Sequence, residues 1–278
     1  MPLAYYSRAA TEEFWSEHWR GHSLQTLTRA AEASPLTELI LRALPPPGAR
    51  VLEAGCGLGQ YVLLLRQRGY RAMGTDWSPN ALQACRAAAP GTPVAVMDLR
   101  RLGLRSGAFA AYVSLGVVEH DPIGPDEILR DAWRVLEPGG RLILSVPYVN
   151  VARRLGAWWI RRRNRRLREA GGQFYQFVLT RSEVRGFIER NGFRVTSATP
   201  YDPGRLLRAG WRRVRRSLSL GERSIASAGG GRGPGHCEPG GSAGSTRSVP
   251  GRLLKRLLYT RPALATFGHM ILFVAVKR

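Results

Sequence analysis

The chain has 278 residues, which is enough for one full α/β core with insertions. Its hydrophobic content of 44% is ordinary for a globular protein, and no apolar run approaches the roughly 20 residues that a membrane-spanning helix needs. Residues 1–15 show no basic start followed by an apolar stretch, so we expect no secretory signal. Cys56, Cys85 and Cys237 lie far apart, without CxxC spacing or nearby histidines. This argues against a disulfide framework or a zinc site and favours a reducing cytoplasm.

The formal net charge of +22 is concentrated in the second half of the chain. Residues 1–150 contain 15 Arg and 14 acidic residues, whereas residues 151–278 contain 27 Lys and Arg and 6 acidic residues. Such an asymmetry indicates an anionic partner for the second half, either nucleic acid or a lipid headgroup surface. Because 40 of the 42 basic residues are Arg, the codon bias of a GC-rich coding sequence explains part of the excess equally well.

From residue 50 onward, apolar runs alternate with helical stretches, which is the pattern of βαβ units around a parallel sheet. The predicted strands span residues 50–54, 71–75, 93–97, 109–115, 141–146, 193–199 and 269–276. Ser78 before Pro79 predicts a capped helix start, and Thr180 with Glu183 predicts a capping box before a helix ending near residue 191. The sequence EPGG at 137–140 predicts a turn between a helix and the fifth strand.

Three basic stretches have helical apolar spacing, at residues 158–168, 207–218 and 253–258. An amphipathic helix with Arg on its polar face can lie on an anionic membrane surface, but such a stripe can also pack on its own domain. Between the last two stretches, residues 221–251 include 10 Gly among 31 positions, with almost no large apolar residue, and we expect a flexible excursion there.

A glycine-rich loop follows the first predicted strand, where residues 51–59 read VLEAGCGLG. The strand turns through Gly55, Gly57 and Gly59 into a helix, and glycines allow bare backbone to approach a ligand closely. The dinucleotide fingerprint G-x-G-x-x-G needs glycine at the position of Gln60. The loop alone therefore argues against a nicotinamide dinucleotide.

An acidic residue ends the second predicted strand. Asp76 lies 21 residues after Gly55, where a carboxylate can accept hydrogen bonds from both hydroxyls of a ribose. Trp77 beside it can offer an apolar face to an adenine. The strand, loop, helix, second strand and acid in this register are a stronger signal than the glycines alone.

Together these segments resemble the class I S-adenosylmethionine-dependent methyltransferases. The resemblance is carried by VLEAGCGLG, GTDWS, MDL, VSLGVVEH and RVLEPGGRLILSVP over residues 35–200, and the final strand HMILFVAVKR fits as well. It implies an α/β fold with a Rossmann-like, seven-stranded, mostly parallel sheet. Helices are expected on both faces, with an antiparallel last strand and lid insertions.

The resemblance implies S-adenosylmethionine as the cofactor and assigns its contacts by position. The residues that it places at the methionine part are Glu53, Gly55, Cys56, Gly57 and Gly59. It places Asp76 at the ribose. It places Trp77, Asp98 and Leu99 at the adenine, and Leu115 and Gly116 under the sulfonium. For Asp98, capping of its own loop is the alternative.

The implied reaction is in-line transfer of a methyl group to a nucleophile. Alignment and exclusion of water can supply much of the acceleration, so a general base is optional. If the acceptor is a hydroxyl, His120 is the candidate base because it follows the fourth strand, with Glu119 and Tyr148 as supporting residues. A structural role of His120 in the following loop is an equally good interpretation.

The acceptor is less clearly marked than the cofactor. The fourth strand ends in residues 114–117, SLGV, unlike the Asp/Asn-Pro-Pro-Tyr pattern of enzymes that methylate base amines, and no Pro-Cys dipeptide offers the nucleophile for cytosine C5. SVPYVNVARR and FYQFVLTRSEV resemble bacterial small-molecule and lipid or glycan-pathway members of the family. In those members lid segments cover the acceptor, and Tyr148, Tyr175 and Trp19 are the candidate substrate contacts here.

Three hypotheses follow. The first is methyl transfer to an oxygen of a small-molecule or lipid-like acceptor, with peripheral contact to an anionic inner membrane surface. The second is an RNA methyltransferase that uses the basic C-terminal half, and the third is a cofactor-binding protein without transferase activity. We expect a lid at 1–34, a core at 35–202 with a basic insertion near 151–178, a second basic insertion at 203–265 and the final strand at 266–278. No metal is expected.

Overall fold

The computed structural model describes residues 2–203 and 258–278. Its strands are β1 (Leu3–Ser7), β2 (Arg50–Ala54), β3 (Arg71–Asp76), β4 (Val94–Val96), β5 (Phe109–Leu115), β6 (Leu136–Pro147), β7 (Gln173–Val178), β8 (Phe193–Tyr201) and β9 (Met270–Lys277). Its helices are α1 (Glu12–Arg20), α2 (Leu24–Glu32), α3 (Pro35–Ala43), α4 (Gln60–Gln67), α5 (Pro79–Ala88), a 3₁₀ turn (Val118–His120), α6 (Asp126–Val135), α7 (Val151–Leu155), α8 (Ala157–Glu169), α9 (Arg181–Arg190) and α10 (Arg261–Phe267).

The chain divides into two compact units, Met1–Tyr201 with Met270–Arg278, and Asp202–His269. Of the second unit the structure describes only the two ends, including α10. The predicted excursion at 221–251, the basic stretch at 207–218 and all but the last residue of that at 253–258 lie outside the described residues. In the described ranges, no helix is long and apolar enough to cross a membrane.

A seven-stranded sheet forms the centre of the first unit, in the order β4-β3-β2-β5-β6-β9-β8. β9 pairs antiparallel with both β6 and β8, and the other pairings are parallel. The Rossmann-like fold class and the seven predicted strands are thereby confirmed. Leu52 and Tyr112 belong to one hydrophobic cluster, whereas Val51 and Ala111 belong to another. Because successive strand residues point to opposite faces, the sheet is covered by a core on each side.

The prediction that residues 137–140 form a turn before the fifth strand is wrong, because these residues lie within the strand. β6 begins at Leu136, directly after α6, and Leu136 is fully buried opposite Phe109 of β5. Pairing then resumes between Ala111 and Arg141, so residues 137–140 form a bulge inside the strand. Gly139 takes a φ of 75° there, which favours glycine.

A second, two-stranded sheet was not predicted from the sequence. β1 pairs antiparallel with β7, and α8 packs against β1. These elements join the N-terminal segment to the insertion after β6, and both were expected to contribute to a lid. α2 lies differently, because Leu24 and Ala31 are buried in one of the two core clusters.

We expect Arg134→Gln to destabilise the fold. Arg134 is the last-turn arginine of α6, and its guanidinium donates hydrogen bonds to the carbonyl oxygens of Leu102 and Leu104 and to the Asp131 carboxylate. Losing these charge-assisted bonds should lower the free energy of unfolding by about 1–3 kcal/mol in urea denaturation. Arg130→Gln on the exposed side of the same helix is the control, and an equal loss in both variants would contradict this assignment.

Candidate active site

The candidate site lies at the carboxyl ends of β2, β3 and β5, where loops from three neighbouring parallel strands meet. A pocket there is lined by these loops and by α1. The predicted cofactor residues that line this pocket are Gly55, Asp76, Trp77, Asp98, Leu99, Leu115 and Gly116. Residues far apart in the chain thus converge on one concave surface.

The glycine loop needs glycine at two positions for reasons of close approach. Gly55 and Gly57 have φ values of 77° and 53°, which side chains rarely adopt. A Cβ at Gly55 would lie 2.4 Å from a methyl carbon of Val117, and one at Gly57 would lie 2.4 Å from the indole of Trp19. Gly59 also has a positive φ, 80°, but the atom that a Cβ there would approach, at 2.8 Å, is the sulfur of Cys85 in α5. Its absence of a side chain therefore serves helix packing.

Asp76 connects the glycine loop to the turn after β3. Its two carboxylate oxygens accept hydrogen bonds from the backbone N–H groups of Gly57, at 2.8 Å, and Ser78, at 2.9 Å. Burial raises the pKa of Asp76, and these N–H donors oppose that rise. A carboxylate offers about four lone-pair positions, so acceptor capacity remains for ribose hydroxyls at the pocket surface. The ribose role of Asp76 remains a prediction that the geometry permits.

The adenine end is less enclosed. Trp77 lines the pocket with a side chain that stays partly exposed, and Leu99 is buried beside it. The Asp98 carboxylate accepts hydrogen bonds from the Arg100 guanidinium and from the Arg100 backbone N–H. The side-chain hydrogen bond from Arg100 holds the pKa of Asp98 below its usual value. Asp98 therefore caps its own loop, as the alternative interpretation of this residue predicted.

A second, smaller pocket adjoins the first and shares Trp19, Gly55 and Leu115 with it. Glu53 and Gln60 line it, and each has a buried side-chain oxygen, Oε2 and Oε1 respectively, without a hydrogen-bond partner among the described residues. Burial raises the pKa of Glu53 well above its ordinary value. Two buried, unpartnered acceptors in one pocket are what an ammonium-bearing ligand end requires.

Several of the residues around this second pocket were not predicted as site residues. Ser145 and Tyr201 hydrogen-bond to each other there, and Met270 lies beside them. They come from β6, β8 and β9, and no local motif marks them. Gln60 was noted in the sequence only as a departure from the dinucleotide fingerprint. Cys56 lines the same pocket, with its sulfur directed against the backbone of Gly74.

α1 places two indoles over the loops. Trp15 and Trp19 stack with ring centroids 6.4 Å apart and both line the first pocket. The helix is attached by Ser16, whose buried hydroxyl lies 2.7 Å from that of Ser78 at the end of β3. Since Trp19 lies against Gly57 and borders both pockets, α1 covers the glycine loop.

His120 lines the first pocket in a defined protonation form. Its Nδ1 lies 2.8 Å from the backbone carbonyl oxygen of Tyr175 in β7. A carbonyl only accepts, so Nδ1 carries the proton and Nε2 is left as an acceptor in the neutral ring. The rings of Trp15 and Tyr175 each contact the imidazole, with a distance of 5.0 Å between ring centroids in both cases. Burial lowers the pKa of His120. The imidazole is therefore neutral near pH 7.

The remaining predicted residues lie behind the pocket surface. Glu119 is buried, with Oε1 3.6 Å from where a Cβ on Gly116 would be, and burial raises its pKa to about 8. Tyr148 belongs to the hydrophobic core, and Tyr175 acts on the site through His120. Neither Tyr148 nor Tyr175 lines the two pockets described above. Across the described part of the chain, no group of three or more His, Cys, Asp or Glu residues could hold a metal ion.

Comparison with known proteins agrees with this geometry. Residues 52–144 match a family model described as a methyltransferase domain. The ubiquinone biosynthesis O-methyltransferase of Xanthomonas axonopodis pv. citri is 28% identical over 180 residues, which are 60% of this chain and 73% of that protein. The probable tRNA methyltransferase 9B of Bos taurus is 31% identical over 102 residues, 36% of this chain and 22% of that protein.

A solved structure shares the fold. The crystal structure of an S-adenosylmethionine-dependent methyltransferase from Archaeoglobus fulgidus matches with a TM-score of 0.54 and 16% identity, over 95% of this chain and 98% of that one. The family model, the curated relatives and the fold together support a class I S-adenosylmethionine-dependent methyltransferase. The S-adenosylmethionine-dependent proteins among the relatives and solved structures support S-adenosylmethionine as the cofactor.

We expect Asp76→Asn to weaken cofactor binding. The substitution removes the charge and one acceptor oxygen, while the amide can still accept one backbone N–H. Losing hydrogen bonds to a charged group should reduce the affinity for S-adenosylhomocysteine in calorimetry by about tenfold or more. Asp98→Asn, at a half-exposed carboxylate already paired with Arg100, should have the smaller effect. Unchanged affinity in Asp76→Asn would contradict the ribose assignment.

We also expect Glu119→Gln to change the pH dependence of stability. The folded state keeps the Glu119 proton up to about pH 8, whereas the unfolded chain releases it near its ordinary value of 4.5. The stability that this group contributes is complete below about pH 4.5 and is lost as the pH rises toward about 8. Between about pH 5 and about pH 8 the variant should gain roughly 3–4 kcal/mol on the parent protein in urea denaturation. Parallel pH profiles would show that Glu119 is not buried in its neutral form.

Proposed function

We propose that the protein transfers a methyl group from S-adenosylmethionine to an oxygen of a small-molecule or lipid-like acceptor, with His120 as the general base. The observation that carries this proposal is the fixed tautomer of His120. Its Nδ1–H is bound to the Tyr175 carbonyl oxygen, and its ring lines the pocket beside the glycine loop. This leaves Nε2 as the atom that can accept a proton.

The lowered pKa of His120 suits the role of a base. A protonated imidazole cannot take a proton from a hydroxyl, whereas a neutral one can. Burial against Trp15 and Tyr175 disfavours the charged form, and the Tyr175 carbonyl opposes this effect only in part. When bound, the cofactor supplies an activated methyl group with a neutral sulfide as its leaving group. The deprotonated oxygen is then the stronger nucleophile, and His120 holds the released proton.

The walls of the first pocket favour an acceptor with an apolar or ring-shaped part. Trp15 and Trp19 on one side and Pro122 and Ile128 on the other present mostly hydrocarbon surface. Such walls exclude water and orient a flat or aliphatic ligand. Gly55, Asp76, Glu53 and Gln60 are proposed to hold the cofactor along the glycine loop and the second pocket.

The relatives support two acceptor classes. The Xanthomonas relative is named for an O-methyl transfer in ubiquinone biosynthesis, which agrees with an oxygen acceptor bearing an apolar part. The Bos taurus relative is named as a tRNA methyltransferase, and the basic second half of the chain is compatible with RNA. The apolar pocket walls favour the first class.

His120→Ala should abolish most of the transfer to a hydroxyl acceptor. A general base contributes about 10²–10⁴-fold, so kcat should fall by that factor while affinity for S-adenosylhomocysteine stays unchanged. In the parent enzyme, kcat/KM should fall only when the pH drops below the lowered pKa of His120, and the variant should lack this acidic limb. An acidic limb that persists in His120→Ala would assign the base to another group.

The acceptor class can be tested directly. Purified protein is incubated with methyl-labelled cofactor and cell extract, and the label is followed into organic-extractable lipid, polar metabolites, RNA and protein. We expect base-stable label in organic-extractable or small-molecule fractions, at levels that depend on His120. Label in RNA would overturn the proposed acceptor, and label in no fraction would favour a cofactor-binding protein without transferase activity.

A further inference from the structure

The junction of α7 and α8 carries large apolar side chains that nothing in the described chain covers. Leu155 ends α7, and Trp158 and Trp159 lie in the first turn of α8, with 82%, 60% and 69% of their surfaces exposed. The two indoles are in edge-to-face contact, with ring centroids 4.6 Å apart. Two neighbouring tryptophans and a leucine form an exposed patch of a kind that usually marks a binding surface.

The rest of α8 is strongly basic. It contains six arginines and a single acidic residue, Glu169, at its last position. None of these arginines forms an ion pair with a described residue, and the Arg162 guanidinium lies 5.8 Å from the ring centroid of Trp158. Positive charge is thus placed next to the apolar patch, and no acidic residue of the described ranges neutralises it through an ion pair.

A groove beside this helix adds further arginines. Arg154, Arg161, Arg181 and Arg185 line it together with the hydroxyl residues Thr180 and Ser182, and no acidic residue is among its lining residues. Arg185 is paired with Glu189, and Arg181 donates to a backbone carbonyl oxygen. Arg154 and Arg161 form no ion pair with a described residue and can bind an anion such as a phosphate.

We propose that this face, which we name the α8 surface and define by Leu155, Trp158, Trp159, Arg154 and Arg161, docks on an anionic lipid bilayer. Tryptophan and leucine enter the boundary between headgroups and acyl chains, and arginines pair with headgroup phosphates. This partner fits both features of the surface, because the arginines complement the negative headgroups and the exposed apolar side chains can be buried in the bilayer. A single-stranded RNA would also meet arginines and indoles, but Leu155 offers it nothing to stack on.

The α8 surface is connected to the candidate active site through packed elements. α8 packs against β1, β1 pairs with β7, and the Tyr175 carbonyl oxygen of β7 holds His120. A bilayer bound at α8 would therefore contact the same lid that positions the proposed base. The inference does not depend on the methyl acceptor, because a surface can bind lipid whatever the enzyme methylates.

Co-sedimentation of the full chain with vesicles tests the proposal. Wild-type protein should bind phosphatidylcholine vesicles that contain phosphatidylglycerol more tightly than vesicles of phosphatidylcholine alone. The double variants Trp158→Ser with Trp159→Ser, and Arg154→Gln with Arg161→Gln, should each lower the partition coefficient for anionic vesicles by about tenfold. The control Arg68→Gln with Arg71→Gln removes two exposed charges elsewhere and should leave binding unchanged.

Two results would overturn the proposal. One is vesicle binding by both α8 variants that equals binding by wild type and the control. The other is tighter binding of single-stranded RNA than of anionic vesicles, lost in the same variants. Melting temperature and affinity for S-adenosylhomocysteine, measured on each variant, should stay at the wild-type values because the substituted side chains are exposed. A loss of vesicle binding with unchanged cofactor affinity separates this proposal from the proposed catalytic function.

Discussion

The Asp76 carboxylate joins the segments on which the rest of the site depends. By accepting the N–H groups of Gly57 and Ser78, it holds the glycine loop and the turn after β3 at a fixed distance. Ser78 passes this constraint on, because its hydroxyl also caps α5 and contacts Ser16 of α1. The helix that carries Trp15 and Trp19 is thereby attached to the same turn. One buried carboxylate thus positions the loop and its cover together.

Burial has opposite consequences for the acids and the base of this site. It raises the pKa values of Glu53, Asp76 and Glu119 and lowers that of His120, because burial favours the neutral form of each group. A neutral His120 avoids like-charge repulsion with a cationic cofactor. A cationic ligand end close to Glu53 or Asp76 would favour the charged carboxylate and so oppose the effect of burial.

The sequence predicted the elements whose signals are local. The positions of the strands, the N-cap at Ser78 and the capping box at Thr180 follow from short-range patterns, and the structure confirms them except for the start of the fifth strand. The Rossmann-like arrangement followed from the order of these elements. The bulge at 137–140 was missed because EPGG is equally compatible with a turn and with a bulge, and only burial of Leu136 opposite Phe109 selects the bulge.

Long-range contacts account for most of what the sequence did not predict. The pairing of β1 with β7 joins segments that are separated by most of the core, and no motif specifies it. Tyr148 was proposed as a substrate contact because it is an aromatic residue of an expected lid segment, yet its side chain lies in the hydrophobic core. Tyr175 was proposed for its ring, and the structure adds a hydrogen bond between its backbone carbonyl oxygen and His120. A carbonyl carries no sequence signal.

The arginines of this chain have two different physical roles. In the first half of the chain, Arg86, Arg134 and Arg141 donate to backbone carbonyl oxygens of a strand, a loop and a helix end, and so stabilise the fold. Along α8 the arginines make no ion pair with any residue the structure describes, and they flank exposed indoles. Codon bias can raise the number of arginines, but it does not place tryptophans beside those that lack partners. Among the described residues, six arginines of the basic second half therefore lie on α8, the helix that packs against β1.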